Sequence, residues 1–414
     1  MKTNTSSTYA ALITGKGTGA IAVIAVLGPG AAHVIEEIFT PSSAAPLDLS
    51  PGRILVGHIK TENKTIDQVT IGCESKNCFA INCHGNPLIT TDLLTMLKTR
   101  NIKITTPKKL TALKMQAANA NAIAIEAALP IPKAATLAGT KIIQYQTTAG
   151  LAKTLRSLLN TIETSPLAEI KNSAAEILEN SNALRPLIFG CKTIITGPPN
   201  TGKSSLLNYL AGSTKSIVSE QNGTTRDYVT ASCLINDLAF NFYDTAGLDK
   251  TITTDNPSDT PSLPSPENTQ NHSIELTSQQ RTLELLDSAD LVIIVLDNSR
   301  PADQLTEELI RNIAAKKTLL AINKIDLPNR LDTDFLPKKF ENITKISLKI
   351  HKNLEKFIKI LINLIKIPPF QTPQVTCFTQ RQLKLISQLT AVNSNNDAKT
   401  IINTLLDPSD IDVN

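Results

Sequence analysis

The run GPPNTGKS at residues 197–204 constrains this chain more than any other feature of its sequence. An apolar stretch precedes the run and a stretch with helical spacing follows it, which indicates a turn between a strand and a helix. In that context the backbone N–H groups of a glycine-rich turn can surround phosphate oxygens, and Gly197 and Gly202 permit the close approach. Lys203 would reach the β- and γ-phosphates, and Ser204 would bind Mg²⁺. The residues predicted to contact a nucleotide here are Asn200, Thr201, Gly202, Lys203, Ser204 and Ser205.

Two further motifs follow in the order expected of a nucleotide-dependent switch. The mostly apolar residues 238–243 lead into DTAG at residues 244–247, and GTTRD lies before them at residues 223–227. An acidic side chain at a strand end can hold Mg²⁺ through water, and the N–H of Gly247 can detect a γ-phosphate. The predicted nucleotide contacts from these motifs are Thr224, Thr225, Asp244 and Gly247, and the predicted Mg²⁺ ligands are Ser204, Thr225 and Asp244.

A fourth motif, NKID at residues 323–326, follows an apolar run. In this order the motifs resemble those of the Ras-like GTPases. The resemblance implies that Asp326 accepts two hydrogen bonds from guanine, a donor pattern that adenine lacks, and that Asn323 and Lys324 brace the loop. It also implies that SLK at residues 347–349 offers a backbone N–H to the guanine oxygen. The predicted base contacts are therefore Asn323, Lys324, Asp326, Ser347, Leu348 and Lys349.

The residue after DTAG is Leu248, whose side chain cannot orient an attacking water. Hydrolysis would therefore depend on another group: a carboxylate elsewhere in the switch, a residue of a partner, or a bound cation. The motifs themselves supply Lys203, Thr225 and Gly247 as catalytic candidates.

Composition narrows the class of protein. Of the 414 residues, 41% are apolar and 19% are charged, as expected of a globular chain long enough for two or three domains. The net charge of +4 permits an RNA partner without requiring one, and an aromatic content of 4% without Trp leaves few platforms for base stacking. The start of the chain does not resemble a leader, and no apolar run reaches the ~18 residues of a membrane span. With six cysteines at no obvious paired spacing, we expect a cytoplasmic protein with reduced thiols and no membrane partner.

Changes of pattern along the chain predict an α/β protein built from four segments. Short strands and a helix come first, helical spacing follows, strands then alternate with helices, and helical spacing returns. The segments are a small N-terminal α/β domain at 1–116, a helical domain in two parts at 117–188 and 367–414, and a Ras-like P-loop GTPase domain inserted between those parts at 189–366. Within the inserted domain we expect residues 251–272 to be a mobile loop, since they contain almost no apolar side chains.

The chain as a whole is similar to one family of GTPases. The phrases GPPNTGKSSLLNYLAG, GTTRD, DTAGL and NKID resemble the TrmE–Era–Der group, and within it the MnmE (TrmE) family of tRNA-modifying GTPases. TGKGTGAIAVI near the start resembles that family's N-terminal strand, and Cys83-His84-Gly85 resembles its CHGG segment. Helical sequence on both sides of the GTPase domain has the same order as in the family. The resemblance extends over nearly the whole chain and is most specific within residues 190–350.

This resemblance implies a potassium-dependent GTPase with GTP, Mg²⁺ and K⁺ at its site. Asn200 matches the family's K⁺-contacting Asn, and Glu275 falls where a water-orienting Glu lies, with a solvated surface charge as the alternative. The resemblance also implies a homodimer formed through the N-terminal domain, whose GTPase domains associate during hydrolysis. It further implies an MnmG-type flavoprotein partner, action on the wobble uridine of tRNA, and a formyl-tetrahydrofolate as the one-carbon donor.

The chain departs from the family at two places, which keeps a second hypothesis open. Ala25 and Ala80 stand where the family has Arg and Glu, and Asn86 stands where it has Gly. The family ends in Cys-x-Gly-Lys, whereas this chain ends in DPSDIDVN. The second hypothesis is a GTP-controlled binding switch in ribosome or RNA assembly that has no modification chemistry.

Cys73, Cys78, Cys83 and His84 are close together in the sequence and could suggest a metal site. Their spacing is not typical of zinc ligands. We favour the interpretation that these are buried reduced thiols, because a free Cys commonly behaves as a small apolar residue.

Overall fold

The computed structural model of the chain describes residues 7–15, 17–44, 46–61, 64–212, 230–244, 286–301, 304–305, 307–313, 316–337, 340–367 and 374–411. Its internal contacts separate two compact units. The first unit consists of Met1–Pro132, Gln144–Ala175 and Thr379–Asn414, and the second of Lys133–Ile143 and Glu176–Phe378. The boundaries of the four segments expected from the sequence stay a prediction.

A seven-stranded sheet occupies the start of the first unit, in the order β3-β4-β5-β6-β2-β1-β7. Neighbouring strands are antiparallel, except that the short β7 runs parallel to β1. Buried residues alternate with less buried ones along β2, which gives the sheet one core face. The strands are β1 (Tyr9–Leu12), β2 (Ile21–Leu27), β3 (Phe39–Pro41), β4 (Ile54–Thr61), β5 (Lys64–Ser75), β6 (Cys78–His84) and β7 (Lys103–Ile104).

Two helices pack on this sheet, α1 (Ala31–Ile38) and α2 (Pro87–Thr99). Helix α2 begins after Asn86, whose side-chain oxygen accepts a hydrogen bond from the N–H of Leu88 at 2.9 Å. Asn is among the best N-cap residues, and Pro fits the first helical position because no donor is needed there. The core between the sheet and the helices includes Phe79 and Leu97.

Helices make up the rest of the first unit and connect to the second. Glu126 is buried in α4, and its carboxylate accepts hydrogen bonds from Gln382 at 2.8 Å and from Thr379 at 3.0 Å. This network joins residues 256 positions apart and supplies hydrogen bonds to a polar group that would be costly to bury without partners. No helix in the described ranges combines the length and apolar character needed to cross a bilayer. The helices of the first unit are α3 (Pro107–Ala117), α4 (Ala122–Ala127), α6 (Leu151–Thr161), α11 (Gln380–Thr390) and α12 (Asn395–Leu406). Two more, α5 (Leu137–Thr148) and α7 (Leu167–Phe189), have residues in both units.

A six-stranded sheet forms the centre of the second unit, in the order β13-β12-β11-β8-β10-β9. Central strand β11 is buried at every position, as expected where both faces of a parallel sheet are covered. Apolar clusters lie on both faces. The strands are β8 (Cys191–Thr196), β9 (Thr230–Ile235), β10 (Leu238–Asp244), β11 (Leu291–Asp297), β12 (Thr318–Asn323) and β13 (Ile343–Lys345). The helices are α8 (Lys203–Gly212), α9 (Glu307–Asn312) and α10 (Leu354–Ile365).

The second sheet departs from a purely parallel pattern at one edge. Strand β9 pairs antiparallel with β10. Asn236 and Asp237 connect the two strands, and both have positive φ values, 48° and 63°. Such values suit a two-residue hairpin turn, and Asn and Asp tolerate them better than most residues do. The alternation of strands and helices in the sequence did not predict this hairpin.

Candidate nucleotide-binding site

The carboxyl ends of the parallel strands bring the sequence motifs to one edge of the second sheet. Strand β8 leads into the phosphate loop, residues 197–202, and helix α8 begins at Lys203. Strand β10 ends at Asp244, whose backbone pairs with Ile195 of β8. Strand β12 ends at Asn323 and runs beside β11. The phosphate loop, the start of DTAG and NKID therefore lie along one edge.

Two glycines allow the phosphate loop to approach strand β11 and the side chain of Asn323 closely. Gly197 has a φ of 139°, and a Cβ atom there would lie 2.2 Å from the carbonyl oxygen of Val295. Gly202 has a φ of 104°, and a Cβ atom there would lie 2.3 Å from Nδ2 of Asn323. Both conformations are ones that L side chains rarely adopt. The path of the loop between β8 and α8 thus depends on glycine at both positions.

The ammonium group of Lys203 is buried inside the phosphate loop. Its Nζ donates to the carbonyl oxygens of Gly197 at 2.6 Å and Pro198 at 2.9 Å. The hydroxyl of Thr201 donates to the same oxygen of Pro198, also at 2.9 Å. These bonds hold a positive charge at the loop that the sequence assigns to phosphate, where charge-assisted hydrogen bonds to phosphate oxygens are strong.

The start of helix α8 adds further polar groups to this loop. Ser204 and Ser205 lie in its first turn and are exposed. The first N–H groups of a helix have no partner within the helix, and its dipole favours negative charge at that end. Asn200, just before, is exposed and has a φ of 63°, a left-handed conformation that Asn tolerates.

The side chain of Asn323 joins the phosphate loop to the SLK loop. Its Nδ2 donates to the carbonyl oxygen of Thr201 at 2.9 Å, and its Oδ1 accepts from the N–H of Leu348 at 3.2 Å. Asn323 is buried, so both bonds form away from bulk water. An amide is suited to this position because it has a donor and an acceptor on one short side chain.

Lys324 makes a second connection between the same parts of the site. Its Nζ donates to the carbonyl oxygen of Asn200 at 2.6 Å and to Oδ2 of Asp297 at 2.7 Å. Asp297 ends strand β11, and its side chain is only 2% exposed. Its other oxygen accepts from the N–H and the hydroxyl of Ser299, at 2.8 and 2.7 Å. The carboxylate is therefore fully engaged in positioning the NKID loop and the turn after β11.

Asp297 was not among the residues predicted from the sequence. Burial acts to raise the pKa of its carboxyl group, but the hydrogen bonds from Lys324 and Ser299 outweigh that effect and hold the pKa below its ordinary value. The sequence pattern that could have identified Asp297 is an acidic residue at the end of an apolar strand. The same pattern identified Asp244.

Asp326, the predicted base-reading residue, accepts a hydrogen bond from the hydroxyl of Ser347 at 2.5 Å. That bond is the main reason why the pKa of Asp326 lies below its ordinary value, and the positive charges of Lys349 and Lys324 act in the same direction. An ionised carboxylate is an acceptor only, which suits it to the N–H groups of a base. Ser347 is in turn fixed by backbone hydrogen bonds with Lys352, at 3.0 and 3.1 Å.

Several predicted site residues lie outside the described part of the chain: Thr224, Thr225, Gly247, Glu275 and the loop 251–272. For Asp244 the backbone is described and the side chain is not. The structure therefore brings together the phosphate-loop residues with those of NKID and SLK, and their roles as nucleotide contacts stay predictions.

The cysteines of the N-terminal sheet are buried and free. Cys73 and Cys83 belong to the apolar core, as expected. Cys78 donates to a carboxylate oxygen of Glu74 at 3.0 Å, and burial, with that carboxylate, raises the pKa of its thiol to about 12. His84 instead lies with Nδ1 2.7 Å from Oδ1 of Asp67. Three or more potential metal-ligating side chains do not converge anywhere in the described ranges.

Two of the departures from the resembled family are direct neighbours in this sheet. Ala25 in β2 and Ala80 in β6 are cross-strand partners. The register continues to Gly72 in β5 on one side and to Ala11 in β1 on the other. A row of small, uncharged residues therefore crosses four strands where the resemblance implied an Arg and a Glu.

Comparisons with known proteins agree with this architecture. Residues 192–324 match the family model of the 50S ribosome-binding GTPases, and residues 8–112 match that of the GTP-binding protein TrmE N-terminus. The tRNA modification GTPase MnmE of Alkaliphilus metalliredigens is 27% identical over 395 residues, which cover 86% of this chain and 82% of that protein. The protein of the same name from Clostridioides difficile is 26% identical, with coverage of 84% and 80%. Over most of its length the chain is therefore similar to proteins named tRNA modification GTPase MnmE.

The two family-model matches and these relatives confirm that the chain is a GTP-binding, GTP-hydrolysing enzyme with an α/β fold. Among solved structures, the G domain of the Thermotoga maritima FeoB iron transporter is 24% identical, covers 42% of this chain and 99% of its own, and has a TM-score of 0.30.

Proposed function

We propose that this GTPase acts in modification of the wobble uridine of tRNA, together with an MnmG-type flavoprotein. One observation carries the proposal: a TrmE-type N-terminal domain and a GTPase domain occur in one chain, and relatives that match most of this chain are named tRNA modification GTPases.

In the proposed hydrolysis, Lys203 contacts the β- and γ-phosphates, and Gly247 and Thr225 respond to the γ-phosphate. Ser204, Thr225 and Asp244 would hold Mg²⁺. The hydroxyl and carboxylate oxygens of this set are the ligands that Mg²⁺ prefers, and Ser204 and the backbone of Asp244 lie along the same sheet edge. When bound, Mg²⁺ neutralises charge that develops on the phosphates.

We further propose that Asn200 contributes its amide oxygen to a K⁺ site and that Glu275 orients the attacking water. The side chain of Asn200 is exposed beside the loop, while its backbone oxygen is already bonded to Lys324. A K⁺ ion there would supply the positive charge that an arginine finger provides in other GTPases. In this proposal Glu275→Ala slows hydrolysis and leaves GTP affinity nearly unchanged.

The proposed assembly is a homodimer formed by the N-terminal domain, whose GTPase domains associate during hydrolysis. We place its action in the cytoplasm, because the six cysteines are free and buried, as expected of a protein kept in a reducing compartment. Formyl-tetrahydrofolate fits the N-terminal sheet poorly, since Ala25 and Ala80 offer two methyl groups where charged partners were implied. No step of the proposed function depends on it.

The row of small residues around Ala25 and Ala80 favours a second candidate function. In that alternative the protein is a GTP-controlled binding switch in ribosome or RNA assembly and carries out no modification chemistry. Analysis of wobble uridines in tRNA from cells that lack the protein distinguishes the two. Loss of the modified nucleoside, restored by the wild-type gene, supports the first function. Unchanged modification together with a defect in ribosome assembly supports the second.

A further inference from the structure

One surface of the second unit is strongly basic, and its lysines are not among the predicted nucleotide contacts. Lys356 and Lys359 lie on helix α10, three residues apart, so they are neighbours on one helix face. Lys352 precedes the helix and Lys366 follows it. All four are exposed, and we call them the lysine row. At about 1.5 Å per residue the row extends over roughly 20 Å.

The rest of the helix explains why the row faces outward. Leu354, Phe357, Leu361 and Ile365 are buried in the core beneath the sheet. Within the described residues, no ammonium group of the lysine row lies within ion-pair distance of a carboxylate. Among the described residues, these charges are therefore not neutralised by a neighbouring carboxylate.

The charge of the chain is concentrated around this helix. Residues 340–367 contain six lysines and two glutamates, a net charge of +4, which equals the net charge of the whole 414-residue chain. The remaining residues sum to zero. Four of these six lysines form the lysine row, and a local excess of positive charge raises the potential there.

A hollow of ≈ 460 Å³ adjoins the last turn of α10. Lys316, Lys317 and Lys366 line it together with the amides of Asn342 and Asn363, and one acidic residue, Glu341, is also present. Ile360 and Leu364 add apolar surface. Its size and its mixture of apolar and polar groups suit a small ring system with hydrogen-bonding edges, such as a nucleoside.

We propose that the lysine row and this hollow form an RNA-docking face, with the phosphate backbone along the row and an unpaired nucleoside in the hollow. Lysines that neutralise phosphates provide sequence-independent affinity. An unstacked base is the part of an RNA that proteins commonly bind in a pocket. The aromatic residue that lines the hollow, Phe340, is itself buried, so charge and shape would dominate recognition over stacking. This proposal deepens the proposed tRNA function by naming the surface that meets the RNA.

The row begins next to the predicted base-reading loop. The backbone of Lys352 pairs with Ser347, and the hydroxyl of Ser347 holds Asp326. RNA bound at Lys352 therefore lies two contacts away from the guanine-reading carboxylate. Docking is expected to change the rate of GTP hydrolysis, since the two sites share this short connection.

The test compares two triple variants of the full-length protein that lose the same charge. One carries Lys352→Gln, Lys356→Gln and Lys359→Gln. The control carries Lys141→Gln, Lys153→Gln and Lys384→Gln, three exposed lysines on other helices. Binding of a fluorescently labelled, unmodified tRNA transcript is titrated at several salt concentrations, and GTP affinity shows that the second unit is folded. A third variant, Asn363→Glu, places a carboxylate at the hollow.

The row variant is expected to bind tRNA at least about tenfold more weakly than the control variant, with the slope of log affinity against log salt reduced by about 3. Asn363→Glu should also weaken binding. Equal affinity of the row and control variants would overturn the proposal, as would competition by poly-glutamate as effective as that by unlabelled tRNA, which would indicate an acidic protein partner. Wobble-uridine analysis reports separately on the proposed function, because it can fail while tRNA still binds the row.

Discussion

The carboxylate of Asp297, the last residue of strand β11, lies 2.7 Å from the ammonium group of Lys324. Lys324 belongs to the NKID loop, which follows the neighbouring strand β12. The same ammonium group donates to the backbone of Asn200 in the phosphate loop. In this network Lys324 is the one predicted nucleotide-binding residue to which Asp297 is bonded. Asp297 would therefore affect GTP affinity by holding that lysine in position. It is a positioning residue.

Replacing Asp297 by Asn tests this relationship. The variant keeps the shape of the side chain but removes the charge that orients Lys324, so GTP should bind about tenfold more weakly, which corresponds to about 1.4 kcal/mol. Titration with a fluorescent GTP analogue measures the change. Asp334→Asn, at an exposed aspartate in the same unit, is the matched control and should bind GTP as the wild type does. Equal affinities for both variants would contradict the positioning role.

The pH dependence of stability follows from the same carboxylate. Its pKa in the folded protein is below the ordinary value of 3.8. A depressed pKa stabilises the folded state fully above the unfolded-state pKa, and that contribution is lost as the pH falls through the folded value. The difference in melting temperature between wild type and Asp297→Asn should be constant from pH 7 to about 5 and should shrink below about pH 4. A difference that grows on acidification would exclude this explanation.

Exchange of Asp326 for Asn should change which base is bound. The substitution replaces an acceptor that faces the base with a donor, so affinity should shift from GTP toward xanthosine triphosphate. Direct titration of the purified variant with both nucleotides measures the shift. GTP affinity equal to that of the wild type would remove Asp326 from base recognition.

The cation proposal predicts fast hydrolysis in K⁺ and slow hydrolysis in Na⁺, at matched ionic strength and at protein concentrations where the dimer forms. An arginine finger contributes about 10³–10⁵ to the rate in related enzymes, so the difference should be large. Asn200→Ala should abolish it. Asn101→Ala is the control, because Asn101 has a φ of 61°, close to the 63° of Asn200, and lies in the other unit. Equal rates of GTP hydrolysis by the wild-type protein in the two salts would exclude the cation mechanism.

The sequence predicted those features that depend on neighbours along the chain. The strand and helix around residues 197–204 follow from an apolar run, a glycine-rich turn and helical spacing, and they are present as β8 and α8. Burial of Cys73 and Cys83 followed from ordinary thiol chemistry. Local patterns suffice for such elements because their hydrogen bonds and periodicity are local.

Features that depend on distant residues were not predictable in this way. The bond from Asn323 to Thr201 joins residues 122 positions apart, and that from Lys324 to Asn200 joins residues 124 apart. The role of Asp297 appears only once β11 and β12 are neighbours. The antiparallel strand β9 was missed because the turn at Asn236 and Asp237 lacks the glycine that usually indicates a hairpin.

The two hydrogen bonds of the Asn323 side chain connect the part of the site that would bind the base to the part that would bind the phosphates. One amide group holds the carbonyl of Thr201 and the N–H of Leu348 at the same time. A ligand that orders the phosphate loop therefore also orders the SLK loop, and the reverse holds as well. The free energies of base binding and of phosphate binding are then not additive. Guanosine and inorganic pyrophosphate, offered as separate fragments, should each bind better in the presence of the other, even though they share no atom.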